Sequence, residues 1–500
     1  MSDGGLIQSD VGPVAFTFGQ EIKPNNVKPN HSMTLLQFLR QARQVHLQFL
    51  AGTLSELPIY VLGNPSADLD SIISAILYSY CANNRLPTTT PRPHIPLLNL
   101  PSIPAGPELH RLRPEFVTAL WLSTNFPALR LDERFEDSSE SAGNLLRDHI
   151  VTMADFAQSL KDRSITRKLD VDTTLVDWNA LPERVDGEDG KGSLGGVLSE
   201  VIFHAIGCID HHVDEKFMPT KEALPTGQPL IIQPGPGSCA SLITNEMNQR
   251  GFWAATATAN AEESSAAEIA QVAKLALAPI LIDTSNLTAE GKVTDVDVQA
   301  VEFLRPQPGD QSWNMEKFYE EILSAKQNSL DRLTLHEVLD RDYKEWTETT
   351  KSSDQSITLG FCSSVKPIRW VIEKAGSPQK FLDDVRSFAT SGGKQLDVVV
   401  VMTSFTSREG QFSRELLISV VADHELVVAG VESFVTQAAS QLGLVEWTAL
   451  DGAVVDVSEE EIRSTLDEDK GAWKALWVQK DTKASRKQVA PLLRGAIAKI

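Results

Sequence analysis

Residues 59–71 read IYVLGNPSADLDS. The first four are apolar and lie between Pro58 and Gly63, the pattern of a short buried strand. The polar turn that follows carries Asp68 and Asp70 at i and i+2, and residues 71–82 then place Ile72, Ile73, Ile76, Leu77 and Tyr80 on one helical face. Strand, acidic turn and helix in that order is the setting in which open α/β sheets hold ligands, at the carboxyl ends of their strands. In a loop, the i, i+2 spacing lets both carboxylates aim at one point, as a divalent cation requires. The same residues would serve as well in a solvated turn with an aspartate capping the helix.

Working outward, apolar runs recur at 94–100, 174–176, 205–209 and 279–282, and the last three end on Asp177, Asp210 and Asp283. The sequence predicts a buried strand at each, separated by helical stretches. That implies a mostly parallel sheet with four strand ends delivering acidic residues to one rim. Asp210 is followed by His211 and His212, and carboxylate and imidazole in tandem after a buried strand are costly to hide and useful to a metal. Singly, each aspartate reads as a strand-end cap. Jointly they fit a binuclear centre in which a carboxylate bridges two cations and a water is activated.

At 500 residues the chain is expected to form two or three domains. An N-terminal arm is expected over 1–33, a first domain over 34–304, a linker RPQPGDQS over 305–312 and a second, smaller α/β domain over 313–500. Within the first, GEDGKGSLGG at 187–196 reads as a mobile surface insertion. The second carries helical patterns over 315–339, 431–442 and 459–466, and β-like runs over 396–402 and 416–428. Glu459, Glu460 and Glu461 read as a solvated helix face.

No apolar run approaches the roughly 20 residues of a membrane span, and MSDGGLIQSDVG lacks the basic-then-apolar order of a signal peptide. A cytoplasmic protein is expected, with a monomer as the default. Cys81, Cys208, Cys239 and Cys362 are far apart with no CxxC pair, so they read as reduced core thiols. The formal charge of -21 argues against a nucleic-acid coat. A polyanionic substrate then requires metals and clustered cations to reverse the field locally.

GNPSADLDS, Val176-Asp177, Asp210-His211-His212 and LIDT at 281–284 resemble, in order and spacing, the motifs of the DHH phosphoesterase superfamily. The GNxxADLDS form is similar to its exopolyphosphatase and prune branch, fungal-type exopolyphosphatases most of all. The resemblance implies that Asp68, Asp70, Asp177, His211 and Asp283 are metal ligands, Asp70 and Asp177 in bridging-type positions. Asp210 would lie close to the metals and His212 would line the phosphate pocket, making Asp177, Asp210 and His212 the catalytic set. Asn64 stands where family II inorganic pyrophosphatases have a histidine ligand. An amide is a poorer ligand than imidazole for manganese or cobalt, so two Mg2+ ions are expected, with Mn2+ or Co2+ as alternatives.

For substrate, the resemblance points to Asn64, to Arg113 in an LRxE segment, to Ser238 in the glycine-led turn 235–241, and to Lys344, Arg486 and Lys487 in the two basic signatures of a DHHA2 domain closing over the cleft. On their own terms these residues read as an exposed arginine, a structural turn and a cationic helix start. The implied activity is metal-dependent removal of terminal phosphate from inorganic polyphosphate. Alternatives are a prune-like enzyme for short chains or pyrophosphate, and a catalytically idle interaction scaffold.

Overall fold

The computed structural model describes residues 33–84, 92–124, 135–165, 168–251, 253, 262–309, 313–351, 355–407, 409–421, 425–450, 457–469 and 473–500. The expected arm, all but Met33, and the last three residues of the expected linker lie outside them.

Two sheets organise the chain. The first is built from β1 (Ile59–Leu62), β2 (His94–Leu97), β3 (Leu169–Val176), β4 (Glu183–Arg184), β5 (Lys191–Ser193), β6 (Val201–Asp210) and β7 (Leu230–Ile232), ordered β2-β1-β3-β6-β5-β4 with β7 also on β6. The pairs β1–β2, β1–β3, β3–β6 and β6–β7 are parallel. Successive side chains of a strand point to opposite faces, and the core divides accordingly. Val61, Val176 and Ile209 join one apolar cluster with the helices Leu69–Asn84, Cys239–Gln249 and Glu262–Asp283, while Tyr60, Leu62, Leu175 and Cys208 join another on the opposite face. Helices on both faces are what a parallel sheet needs to bury its two apolar surfaces.

Two expectations are overturned. Residues 279–282 are not a strand but the last full turn of the helix Glu262–Asp283, so Asp283 reaches the rim from a helix C-terminus. The Ala- and Leu-rich stretch before it propagates as helix through Pro279, because good helix formers and packing on all sides outweigh the lost hydrogen bond. The segment 187–196 is likewise no mobile insertion. It forms the turn and second strand of an antiparallel β4–β5 hairpin that pairs on to β6. Gly192 is needed there for closeness, since a Cβ would sit 2.5 Å from the Glu183 carbonyl oxygen.

The second sheet comprises β8 (Tyr343–Thr349), β9 (Ser356–Ser364), β10 (Val398–Thr406), β11 (Phe412–Val420), β12 (Leu444–Glu446) and β13 (Lys474–Gln479), ordered β12-β13-β11-β10-β9-β8 and antiparallel except for β9–β10. Val399 and Val401 face the helices Ile368–Ala375 and Pro378–Thr390. Val398, Val400 and Met402 face Glu425–Leu442 and Arg486–Ile497. The β-like run 416–428 therefore divides, its first part ending β11 and its last part opening a helix. The helix Met315–Asn328 buries Phe318 and Ile322 in the first sheet's core rather than the second's. All four cysteines are free and buried, and among the described residues no helix is long and apolar enough to cross a membrane.

Candidate metal centre

Asp177 sits at the centre of the rim. Its amide extends the parallel ladder to the Ile209 carbonyl at 3.0 Å, and its φ of 53° is left-handed, uncommon for a residue with a Cβ. The kink turns the side chain towards β1 and β6. Oδ2 accepts from Asn64 Nδ2 at 2.6 Å and from Ser71 Oγ at 2.7 Å. Oδ1 is buried and accepts no hydrogen bond, although His211 Nε2 is 3.0 Å away.

The tautomer of His211 explains that gap. Its Nδ1 lies 2.8 Å from the Pro236 carbonyl, which can only accept, so Nδ1 carries the hydrogen. Burial first, then the charge of Lys487, lowers the pKa of the ring and keeps it neutral. Nε2 therefore presents a lone pair to an unpaired carboxyl oxygen, and His211 supplies no proton between them. Two buried acceptors converging on one point suit a cation, and the carbonyl behind His211 fixes the ring as a metal ligand's outer partner does. Asp177, Asp210, His211 and His212 each bring a ligand atom within 4.8 Å of the others.

Asp70, in the first turn of Leu69–Asn84, docks on the N-terminus of Cys239–Gln249. Its oxygens accept from Cys239 N at 2.6 Å, Ala240 N at 3.1 Å and Ser238 Oγ at 2.7 Å, where the helix dipole favours an anion. Asp70 Oδ2 is 3.8 Å from His211 Nε2. Burial, then the charge of Asp177, still pushes its pKa well up, as it does for Asp177 itself through burial and Asp68. Burial also raises Asp283 to about 7, against the pull of Lys326 and with the push of Asp68 and Asp177. Carboxylates with raised pKa values at one rim need either protons or cations. Asp68 is partly exposed and its Oδ1 caps Ser71 N at 3.0 Å, so the capping role foreseen for this turn is realised.

Asp210 accepts from Asn179 Nδ2 at 2.5 Å and from His212 Nδ1 at 2.8 Å. Burial alone would raise its pKa, but His212 and Asn179 more than offset this and hold it below the usual carboxylate range. On the far side of the ring, His212 Nε2 receives Lys344 Nζ at 3.3 Å. Burial, then Lys344, keeps His212 neutral, with its hydrogen on Nδ1. Lys344 belongs to β8, so this bond joins the two sheets. Arg486 is held by the carbonyl of Asp342 at 2.8 Å and its carboxylate at 2.7 Å, while Lys487 is exposed.

Three substrate expectations are revised. Arg113 is 2% exposed and turned inward, its Nε on the Ala67 carbonyl at 2.7 Å and its Nη2 on the carbonyls of Ser66 at 2.5 Å and Arg341 at 2.7 Å. Ser238 commits its hydroxyl to Asp70 and to its own helix N-terminus. The amides of Gly237 and Ser238 that could have met a phosphate donate instead to Asp297, at 2.9 and 3.4 Å. Asn64, 1% exposed, holds Asp177 rather than facing the cleft.

Sequence reasoning passed over Asn179, Asp297, Asp342 and Lys292. Asn179 lies two residues after Asp177 and Asp342 two before Lys344, and Thr294-x-x-Asp297 is a capping-box spacing. Lys292 carried no signal. Its ammonium is lowered to about 8 by burial and by Arg414, with Lys487 and Lys326 adding to the effect, so these cations cluster beside Asp283.

Residues 320–496 match the family of the DHHA2 domain. Over 477 residues, 94% of this chain and 99% of the other, the sequence is 29% identical to a Schizosaccharomyces pombe protein named "Putative exopolyphosphatase". A solved structure, an exopolyphosphatase-related protein from Bacteroides fragilis, aligns over 90% of this chain and 98% of that one at 13% identity, with a TM-score of 0.33, a likeness too slight to carry an argument.

Proposed function

Given the match of residues 320–496 to the DHHA2 domain, we propose that this chain is a metal-dependent exopolyphosphatase that hydrolyses terminal phosphate from inorganic polyphosphate between its two sheets. The observation that carries the reading is the pair of facing lone pairs, Asp177 Oδ1 and His211 Nε2, with Lys344 reaching the same corner from the second sheet. The extent of likeness to the Schizosaccharomyces pombe protein supports it.

Asp68, Asp70, Asp177, His211 and Asp283 would hold two divalent cations, which when bound supply Lewis acidity to the phosphate and lower the pKa of a water. The oxygen-rich set favours Mg2+, with Mn2+ or Co2+ as substitutes. Asn64 and Ser71 orient Asp177 so that Oδ1, not Oδ2, faces His211. Asp210 fixes the His212 tautomer, so that Nε2 accepts from the Lys344 ammonium and holds it where charge would develop on phosphate oxygens. Arg486, aligned by Asp342, and Lys487 add positive charge beside them. Lys292 and Lys326 add positive charge beside Asp283, which suits a polyanionic substrate.

The test is phosphate release from pyrophosphate, tripolyphosphate and longer chains with Mg2+, Mn2+ or Co2+, for wild type, Asp177→Asn and His211→Ala. Release from the longer chains, lost in both variants, is expected. Release from pyrophosphate alone would overturn the substrate assignment, and activity surviving both substitutions would overturn the site.

A further inference from the structure

We propose that Arg113 is a positioning residue that ties the turn bearing the metal ligands to the start of the strand bearing Lys344, so that the two halves of the site keep one spacing. The inference rests on reading Asp68, Asp70 and Asp177 as cation ligands. Ser66 and Ala67, whose carbonyls Arg113 holds, immediately precede Asp68. Ala67 has a left-handed φ of 42°, so this turn is strained and needs an external hold. The third carbonyl, that of Arg341, precedes Asp342, which aligns Arg486, and lies three residues before Lys344.

The clasp is reciprocal. Arg341 donates to the Leu112 carbonyl at 2.6 Å and to Glu115 at 2.7 Å, so each arginine grips the backbone at or beside the other. Arg113, Glu115 and Arg341 are 2, 2 and 8% exposed, and Glu115 pairs with Arg341. Burial, then Arg341, lowers Arg113 to about 10, while Asp68 and Asp342 pull the other way, so its charge is felt on both sides of the cleft. A planar fork holds carbonyls that lie apart in fixed directions, whereas the three donors of an ammonium radiate from one nitrogen and cannot span the same positions.

The experiment measures Mn2+ binding to the full chain without substrate, by the resonance of free Mn2+ and by calorimetry, for wild type, Arg113→Lys, Arg341→Lys, Glu115→Gln and His211→Ala. Amide hydrogen exchange at 64–71 and 342–345 is followed in parallel. Arg113→Lys and Arg341→Lys should weaken Mn2+ about tenfold or more, as loss of a ligand's outer support does, with faster exchange in both segments. Glu115→Gln, which leaves Arg113 in place, should give the same pattern to a smaller degree and serves if the arginine variants fail to fold. A merely structural arginine predicts lower melting with Mn2+ affinity unchanged in the folded protein, and that result in any folded variant overturns the clasp. Wild type that takes up no Mn2+ sinks the cation reading and the clasp with it. Wild-type binding lost in His211→Ala but kept in Arg113→Lys sinks the clasp alone.

Discussion

Replacing Asp177 by asparagine should strengthen the cation-free protein and destroy its response to cations. In wild type, Oδ2 is satisfied by Asn64 and Ser71, whereas Oδ1 faces the His211 lone pair at 3.0 Å. The amide can place its oxygen where Oδ2 lies and its NH2 where Oδ1 lies, donating to His211 Nε2. The change removes an unsatisfied buried acceptor, at about 1–3 kcal/mol, and adds a hydrogen bond of about 1 kcal/mol. Where Asp177 is ionised, the gain in chelator should thus be about 2–4 kcal/mol, at about 2–4 °C per kcal/mol or less for a domain of this size. Wild type should instead gain about 4.1 kcal/mol at a thousandfold excess of cation over its Kd, and the variant nothing. The melting order therefore reverses between EDTA and saturating Mg2+.

The pH dependence has a definite sign. Burial raises the Asp177 pKa in the fold, so its contribution is fully present below the unfolded value and is lost as pH rises through the folded one. The advantage of the variant in EDTA should grow with pH. Calorimetric melts in EDTA and in Mg2+ at two pH values decide the matter. A variant that melts below wild type in EDTA refutes the argument, because the carboxylate would then be satisfied without a cation.

Lys344→Met removes the ammonium against His212 and should lower kcat/KM for polyphosphate by ten- to a hundredfold, the worth of one charged hydrogen bond, with Mn2+ binding retained in titrations. Gly63→Ala would put a Cβ 2.9 Å from the Ser71 carbonyl and 3.0 Å from its Oγ, so about 1–3 kcal/mol of stability should be lost together with cation affinity, as Ser71 is pushed off Asp177. Burial lowers His46 to about 3 and His94 to about 4. The unfolded chain then takes up these protons first, so stability should fall as pH drops below about 6.5, by a few kcal/mol for each, until the folded values are reached. Denaturant titrations of His46→Gln and His94→Gln should give a flatter decline than wild type.

The parallel centre of the first sheet was readable because β1, β3 and β6 are apolar runs closed by Gly or Asp, and Ile59–Leu62 matches its expected bounds. The run 279–282 failed for a physical reason, since a short apolar stretch looks alike in a buried strand and in a buried helix. The helix formers of 265–278 before it were the signal to weigh. Asp177, Asp210, His211 and His212 do meet, as a strand-end pattern implies. Arg113, Ser238 and the 235–237 turn misled because a donor that could serve a phosphate serves an internal carbonyl or carboxylate equally well. Only the fold brings Asp297 to that turn from sixty residues away. Lys292 was invisible because its place beside Asp283 depends on tertiary proximity alone.

The left-handed backbone at Ala67 and Asp177 bears on any effort to thermostabilise this protein. Glycine at such positions ordinarily removes about 1–2 kcal/mol of steric cost, partly offset by a freer unfolded chain. At Ala67 the gain is offset in part by lost packing, because its methyl group is buried in the first sheet's apolar core. The route is closed at Asp177, because glycine has no carboxylate to offer. A screen that ranks substitutions by melting temperature alone would therefore tend to select inactive variants at position 177.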